Sequence, residues 1–156
     1  MIYNIELRKS IFTITENESE KILYRGVRSN ESVLSYIVTI FNSNNEMIFK
    51  YRYKLFKFTK KIQITFHNLN FKLNFGKNMF ILNVNNDTIM IKNTFLSFDF
   101  PYKNAYKIYL NDTLYAKVKS KWTSYDYKII FKNKNEYNQL TLIYMIMILT
   151  HTDSGA

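Results

Sequence analysis

Between Leu142 and Leu149 the chain reads Leu-Ile-Tyr-Met-Ile-Met-Ile-Leu, with no polar side chain except the tyrosine hydroxyl. A surface helix breaks its apolar residues with polar ones every turn, and this run does not. Ile and Tyr also favour strands, and periodicity alone does not separate a buried strand from a buried helix. Length and flanks favour a helix. Glu136, Asn138 and Gln139 precede the run, Asn135 can supply an N-cap, and Leu and Met propagate helices well. The pattern predicts a helix over about 136–150, roughly 22 Å long at ~1.5 Å per residue. That is short of the ~20 apolar residues needed to cross a bilayer. A helix that is apolar on every side must then be surrounded by protein.

The preceding chain alternates with period two and is punctuated by turns. Strands are expected over Tyr3–Leu7, Ile11–Thr15, Lys21–Arg25, Val33–Phe41, Met47–Lys54, Phe58–Phe66 and Leu69–Phe75. They continue over Met79–Val84, Thr88–Lys92, Phe95–Phe100, Ala105–Leu110, Leu114–Lys119 and Tyr127–Lys132. Gly26, Ser29–Ser32, Asn42–Asn45, Gly76–Asn78 and Asn85–Asp87 supply turn chemistry. On Met47–Lys54, Ile48, Lys50, Arg52 and Lys54 share one face, and Met47, Phe49, Tyr51 and Tyr53 the other. The clearest hairpin pairs Leu110 with Leu114 across an Asn111-Asp112-Thr113 loop, which sets Lys107 opposite Lys117 on the outer face.

The predicted fold is mainly β: a closed antiparallel barrel of about twelve strands around a buried C-terminal helix. At 156 residues it forms a single domain, 1–156. Absence of cysteine excludes disulfides, a thiol nucleophile and Cys-ligated metal. The N-terminus lacks a basic region followed by a long apolar core, so no signal peptide is read and a cytoplasmic protein is expected.

The net charge of +10 directs attention to anionic partners. An A/T-rich coding sequence would produce the same surplus of Lys over Arg, and a solvated surface accounts for much of it. Two basic groups stand out. One is Lys50, Arg52 and Lys54, followed by Lys57, Lys60 and Lys61 among aromatic residues. The other is Lys107, Lys117, Lys119 and Lys121 beside Trp122. Aromatics between cations resemble platforms for single-stranded nucleic acid. Strand parity, however, puts Tyr51 and Tyr53 on the face opposite Arg52. Like charges directly opposite one another are destabilising, so the Lys107–Lys117 pair points to a bound anion or to two side chains splaying into water.

Catalysis finds no support in the motifs. His67 and His151 are the only histidines, most carboxylates lie in predicted turns, and there is no phosphate-cradling glycine loop, nucleophile elbow or dinucleotide fingerprint. No enzyme, cofactor or metal is expected.

Asn104–Tyr109, the Asn111-Asp112-Thr113 turn, Leu114–Trp122, Tyr127–Ile130 and the Leu140–Leu149 helix together resemble the end of a tubby C-terminal-like domain. That superfamily includes tubby proteins, LURP-one-related proteins, phospholipid scramblases and small bacterial members. The resemblance implies a twelve-stranded barrel threaded by the C-terminal helix. Tubby proteins bind phosphoinositides, but no Lys/Arg pair here matches theirs. The Cys-rich tract and acidic calcium loop of scramblases are missing. The leading expectation is a non-enzymatic binding module for anionic lipid headgroups or a membrane surface. The alternative is a cytoplasmic protein-interaction or regulatory module of the immunity type, and nucleic-acid binding ranks third.

Overall fold

The computed structural model describes residues 1–8, 10–19, 21–32, 35–56, 59–67, 72–75, 79–94, 98–99, 102–121 and 126–152. They form β1 (Ile2–Arg8), β2 (Ile11–Glu16), β3 (Ile22–Ser32), β4 (Ser35–Asn42), β5 (Met47–Phe56), β6 (Thr59–His67) and β7 (Lys72–Phe75). Then follow β8 (Met79–Val84), β9 (Asp87–Asn93), β10 (Phe98–Asp99), β11 (Tyr102–Leu110), β12 (Thr113–Lys121), β13 (Asp126–Phe131) and the helix α1 (Asn138–Thr152).

The strands make one antiparallel sheet in the order β6-β5-β4-β3-β2-β1-β13-β12-β11-β9-β8-β7, with β10 beside β11. The expectation was a closed barrel of about twelve strands. Ten strands, from β5 to β8 in this order, form one continuous antiparallel run. No ladder joins β6 to β7 among the described residues, so hydrogen bonds do not close the sheet.

Period-two alternation becomes a buried and an outer face. Tyr36, Val38 and Ile40 of β4, Phe80, Leu82 and Val84 of β8, and Tyr127, Ile129 and Phe131 of β13 all point into the core. The helix belongs to the same apolar cluster. Every residue from Leu142 to Leu149 is at most 2% exposed, as the unbroken apolar run required. Asn135, expected to cap the helix, instead closes the turn before it: its Oδ1 accepts the Tyr137 N–H at 2.9 Å, and the first helical bond runs from Thr141 N–H to the Tyr137 carbonyl at 2.9 Å. The regular helix starts at Asn138 rather than Glu136, because Glu136 and Tyr137 form the entering turn. No helix among the described residues is long and apolar enough to cross a membrane.

Three local expectations are corrected. First, β3 runs straight through Gly26 and includes Ser29–Ser32, which turn chemistry had marked as a break. The glycine is there for a close approach. A Cβ built on Gly26 would lie 1.7 Å from Phe12 Cζ, so the Phe12 ring fills the place of the missing side chain. Second, the β11–β12 hairpin turns at Asn111-Asp112, both with positive φ (46° and 64°), and pairs Leu110 with Thr113. A register shift between Ile108 and Tyr109 then restores the expected Lys107–Lys117 pairing. Because of that irregularity Tyr115 and Ala116 are both buried, where alternation had put Tyr115 outside. Third, Ile48 is buried and Met47 exposed, because the β4–β5 ladder slips between Ile40 and Phe41. From Phe49 to Lys54 the parity is as expected.

Candidate functional site

The register lines up cations that lie far apart in sequence. On β9, β11 and β12, Lys92 stands opposite Lys107, and Lys107 opposite Lys117. One step further along the strands, Lys119 of β12 stands opposite Lys128 of β13. Each lysine alternates with buried neighbours: Ile91 beside Lys92, Tyr106 and Ile108 beside Lys107, Ala116 and Val118 beside Lys117, Tyr127 and Ile129 beside Lys128. All of them therefore face outward. Directly opposed residues have Cβ atoms about 4.5–5.5 Å apart, so the Lys92–Lys107–Lys117 row is a band of like charge across three adjacent strands.

Lys92, Lys107, Lys117 and Lys128 have no carboxylate partner among the described residues. Lys92 Nζ lies 5.2 Å from the centroid of the Tyr109 ring, a cation–π arrangement that holds it over the sheet. Beyond Lys128 the charge changes sign. Glu6 stands opposite Asp126, and Arg8 reaches both carboxylates at 3.6 Å. An open shallow groove there is lined by Asn4, Glu6, Lys119, Asp126 and Lys128 among others.

The sequence-predicted residues divide accordingly. Lys107, Lys117 and Lys119 come together on one face. Lys121 closes β12 opposite Tyr102, and its side chain lies outside the described residues, as does Trp122. Lys50, Arg52 and Lys54 share the outer face of β5, separated from this row by β4, β3, β2, β1 and β13. They do not form one site with it. Arg52 donates to Glu31 Oε1 at 2.8 Å, so its charge is already answered within the fold. Glu31, expected in a turn, lies in β3, where it can reach Arg52. Lys57, and the side chains of Lys60, Lys61, His67 and His151, lie outside the described residues.

Lys92 and Lys128 were missed. Parity within β9 and β13 would have turned both outward, but only the β9–β11 and β12–β13 ladders bring them to the hairpin. The β9–β11 pairing skips β10 in the chain, and no turn signal announces it.

A second polar cluster ties the start of the helix to two hairpin ends. Asp87 accepts from Tyr137 Oη at 2.5 Å and from Asn111 Nδ2 at 2.6 Å. Asn111 also accepts the Thr88 N–H on its Oδ1 at 2.9 Å. These two donors hold the Asp87 carboxyl below the ordinary carboxylate range, and Tyr137 is raised in return by its bond to Asp87. Nearby, Tyr115 donates its hydroxyl to the buried Asn138 Oδ1. Burial raises the pKa of Tyr115 and Tyr144 and pushes Tyr24 up to about 12. These contacts account for the cluster as a structural clasp. Among the described residues no group of three or more His, Asp or Glu side chains converges to hold a metal ion.

No protein-family model, curated protein or solved structure matches this chain.

Proposed function

We propose that this chain is a non-enzymatic binding module whose outer lysine face docks on anionic lipid headgroups at a membrane surface. The observation that carries the reading is the Lys92–Lys107–Lys117 row, with Lys128 beside it and no carboxylate answering any of the four among the described residues. Like charges in register weaken a sheet. A surface dense in phosphate turns that repulsion into attraction, at about 1 kcal/mol per lysine. The site of action is the cytoplasmic leaflet, which carries the anionic lipids.

The fold we propose is a tubby-like barrel closed around α1. Its support is chain length. β6 and β7 end the strand order on opposite sides, yet only residues 68–71 separate His67 from Lys72. Laid flat, the steps from β6 to β7 at ~4.8 Å each would set the edges about 53 Å apart. The link spans at most about 17 Å at ~3.5 Å per residue. The sheet must curl until its edges approach at that end, and the all-round burial of α1 gives it something to curl around.

Flotation with phosphatidylserine-containing and pure phosphatidylcholine vesicles tests the reading. The protein should float with the first and not the second. Replacing Lys107 and Lys117 with Gln should weaken binding about thirtyfold, the equivalent of ~2 kcal/mol. It should leave the melting temperature equal or higher, since a repulsive pair is removed. A stoichiometric protein captured from native lysate, with no vesicle binding, would replace the lipid reading with the protein-interaction one.

A further inference from the structure

Next to the lysine row runs a second row of another kind. Ile81 of β8 stands opposite Met90 of β9, Met90 opposite Tyr109 of β11, and Tyr109 opposite Leu114 of β12. All four side chains are half-buried, and none belongs to the core or packs against it. They therefore lie on the outer face, two residues along each strand from Met79, Lys92 and Lys107. The lysine row is itself bracketed by apolar residues: Met79, 36% exposed, pairs with Lys92, and Ile130 pairs with Lys117. The face thus carries an apolar band about 14 Å wide across four strands, laid against a cationic band. Lys92 over the Tyr109 ring is the seam between them.

A soluble anion needs only the cations. A row of Ile, Met, Tyr and Leu beside them has no function toward free phosphate and carries a cost in water. An anionic bilayer fits both bands. Lysine ammonium groups meet lipid phosphates, the apolar band sinks to the headgroup–acyl boundary, and an amphipathic tyrosine suits the depth between. We infer that this face of β8, β9, β11 and β12 inserts: Ile81, Met90, Tyr109 and Leu114 enter the bilayer interface while Lys92, Lys107 and Lys117 hold headgroups. This rests on the membrane-surface reading above and adds a depth and an orientation to it.

The absence of cysteine makes the test direct, because any introduced thiol is unique. Met90→Cys and, as a control on the outer face of β4, Thr39→Cys are each labelled with an environment-sensitive nitrobenzoxadiazole fluorophore. Phosphatidylserine-containing vesicles should shift the Met90 probe to the blue and brighten it, and leave the Thr39 probe unchanged. Unlabelled Tyr109→Ser/Leu114→Ser, with its fold checked by circular dichroism, should lose about tenfold in vesicle partitioning at high salt, where the lysine contribution is screened. Vesicle binding with both probes silent would overturn insertion and leave the headgroup reading standing. No vesicle binding by the unsubstituted protein would overturn both. An equal Met90 shift with single-stranded DNA, or with a co-purifying protein in place of vesicles, would show that the apolar band is not a lipid contact.

Discussion

Ile146 tests whether the terminal helix is the core of the molecule. Its side chain has no exposed surface, and its helix neighbours Met145 and Met147 have none either. Ile146→Ala removes buried carbons from a site with no route for water, which places the cost in the ~2–5 kcal/mol range of large-to-small core substitutions. At ~2.1 cal/mol/K of unfolding entropy per residue, 156 residues give about 0.33 kcal/mol/K. The melting temperature should then fall by roughly 6–15 °C. Ile22→Ala is the control: Ile22 is 51% exposed at the start of β3. Its change should stay within about 0.5 kcal/mol. Ile146→Lys would put an unpaired ammonium at a site with no exposed surface, and this protein should be found in the insoluble fraction. Thermal melts by far-ultraviolet circular dichroism, repeated as urea titrations, measure all three. The reasoning fails if Ile146→Ala melts with the control, or if a chain ending at residue 137 unfolds cooperatively.

Three further outcomes follow from particular contacts. Gly26→Ala forces the Phe12 ring away and should cost ~1–3 kcal/mol; pairing it with Phe12→Leu should recover part of the loss in a double-mutant cycle. Tyr115→Phe leaves the buried Asn138 carbonyl without its donor and should cost ~1–3 kcal/mol in urea titrations. The Asp87 carboxyl has its pKa lowered by Tyr137 and Asn111, so its contribution is present above the ordinary carboxylate value of ~3.9 and is lost as pH falls through the depressed folded value. Asp87→Asn should therefore lower stability at neutral pH and flatten the acid limb of a stability–pH curve; an unchanged limb would show that the clasp carries no linkage.

The sequence made period legible and neighbourhood obscure. The apolar helix could be read directly, because nothing but all-round burial explains the unbroken apolar run from Leu142 to Leu149; its start could not, because Asn135 closes the turn before it. The inward Tyr51 and Tyr53 and outward Arg52 followed from parity alone. Gly26 misled because turn chemistry describes a residue in isolation, whereas the Phe12 ring that lets a strand pass through it comes from another strand. The Asn111-Asp112 turn was read one residue too long because the register shift beyond it compensated for the error at Lys107 and Lys117. That compensation hid Tyr115, whose inward turn supplies a donor to the first residue of the helix. Of the candidate site, the hairpin lysines were visible. Their charge partners were not: Lys92 joins only through the β9–β11 ladder, and Arg52 leaves only through Glu31.

The position of α1 after every strand also sets a schedule for synthesis. A ribosome working at ~5–20 residues per second releases the strands before the segment that fills them exists. For about 1–4 s between the last strand residue, Phe131, and the last helix residue, Thr152, the nascent sheet has an inner face of Ile, Val, Phe and Tyr with nothing to cover it. Such a surface is what holdase chaperones bind and what nascent chains aggregate through. The cell therefore meets this protein first as an uncored sheet. Its yield should depend on how quickly the last turns of the helix arrive, which slow codons placed within 138–152 would reveal as lost soluble product from an unchanged amino-acid sequence.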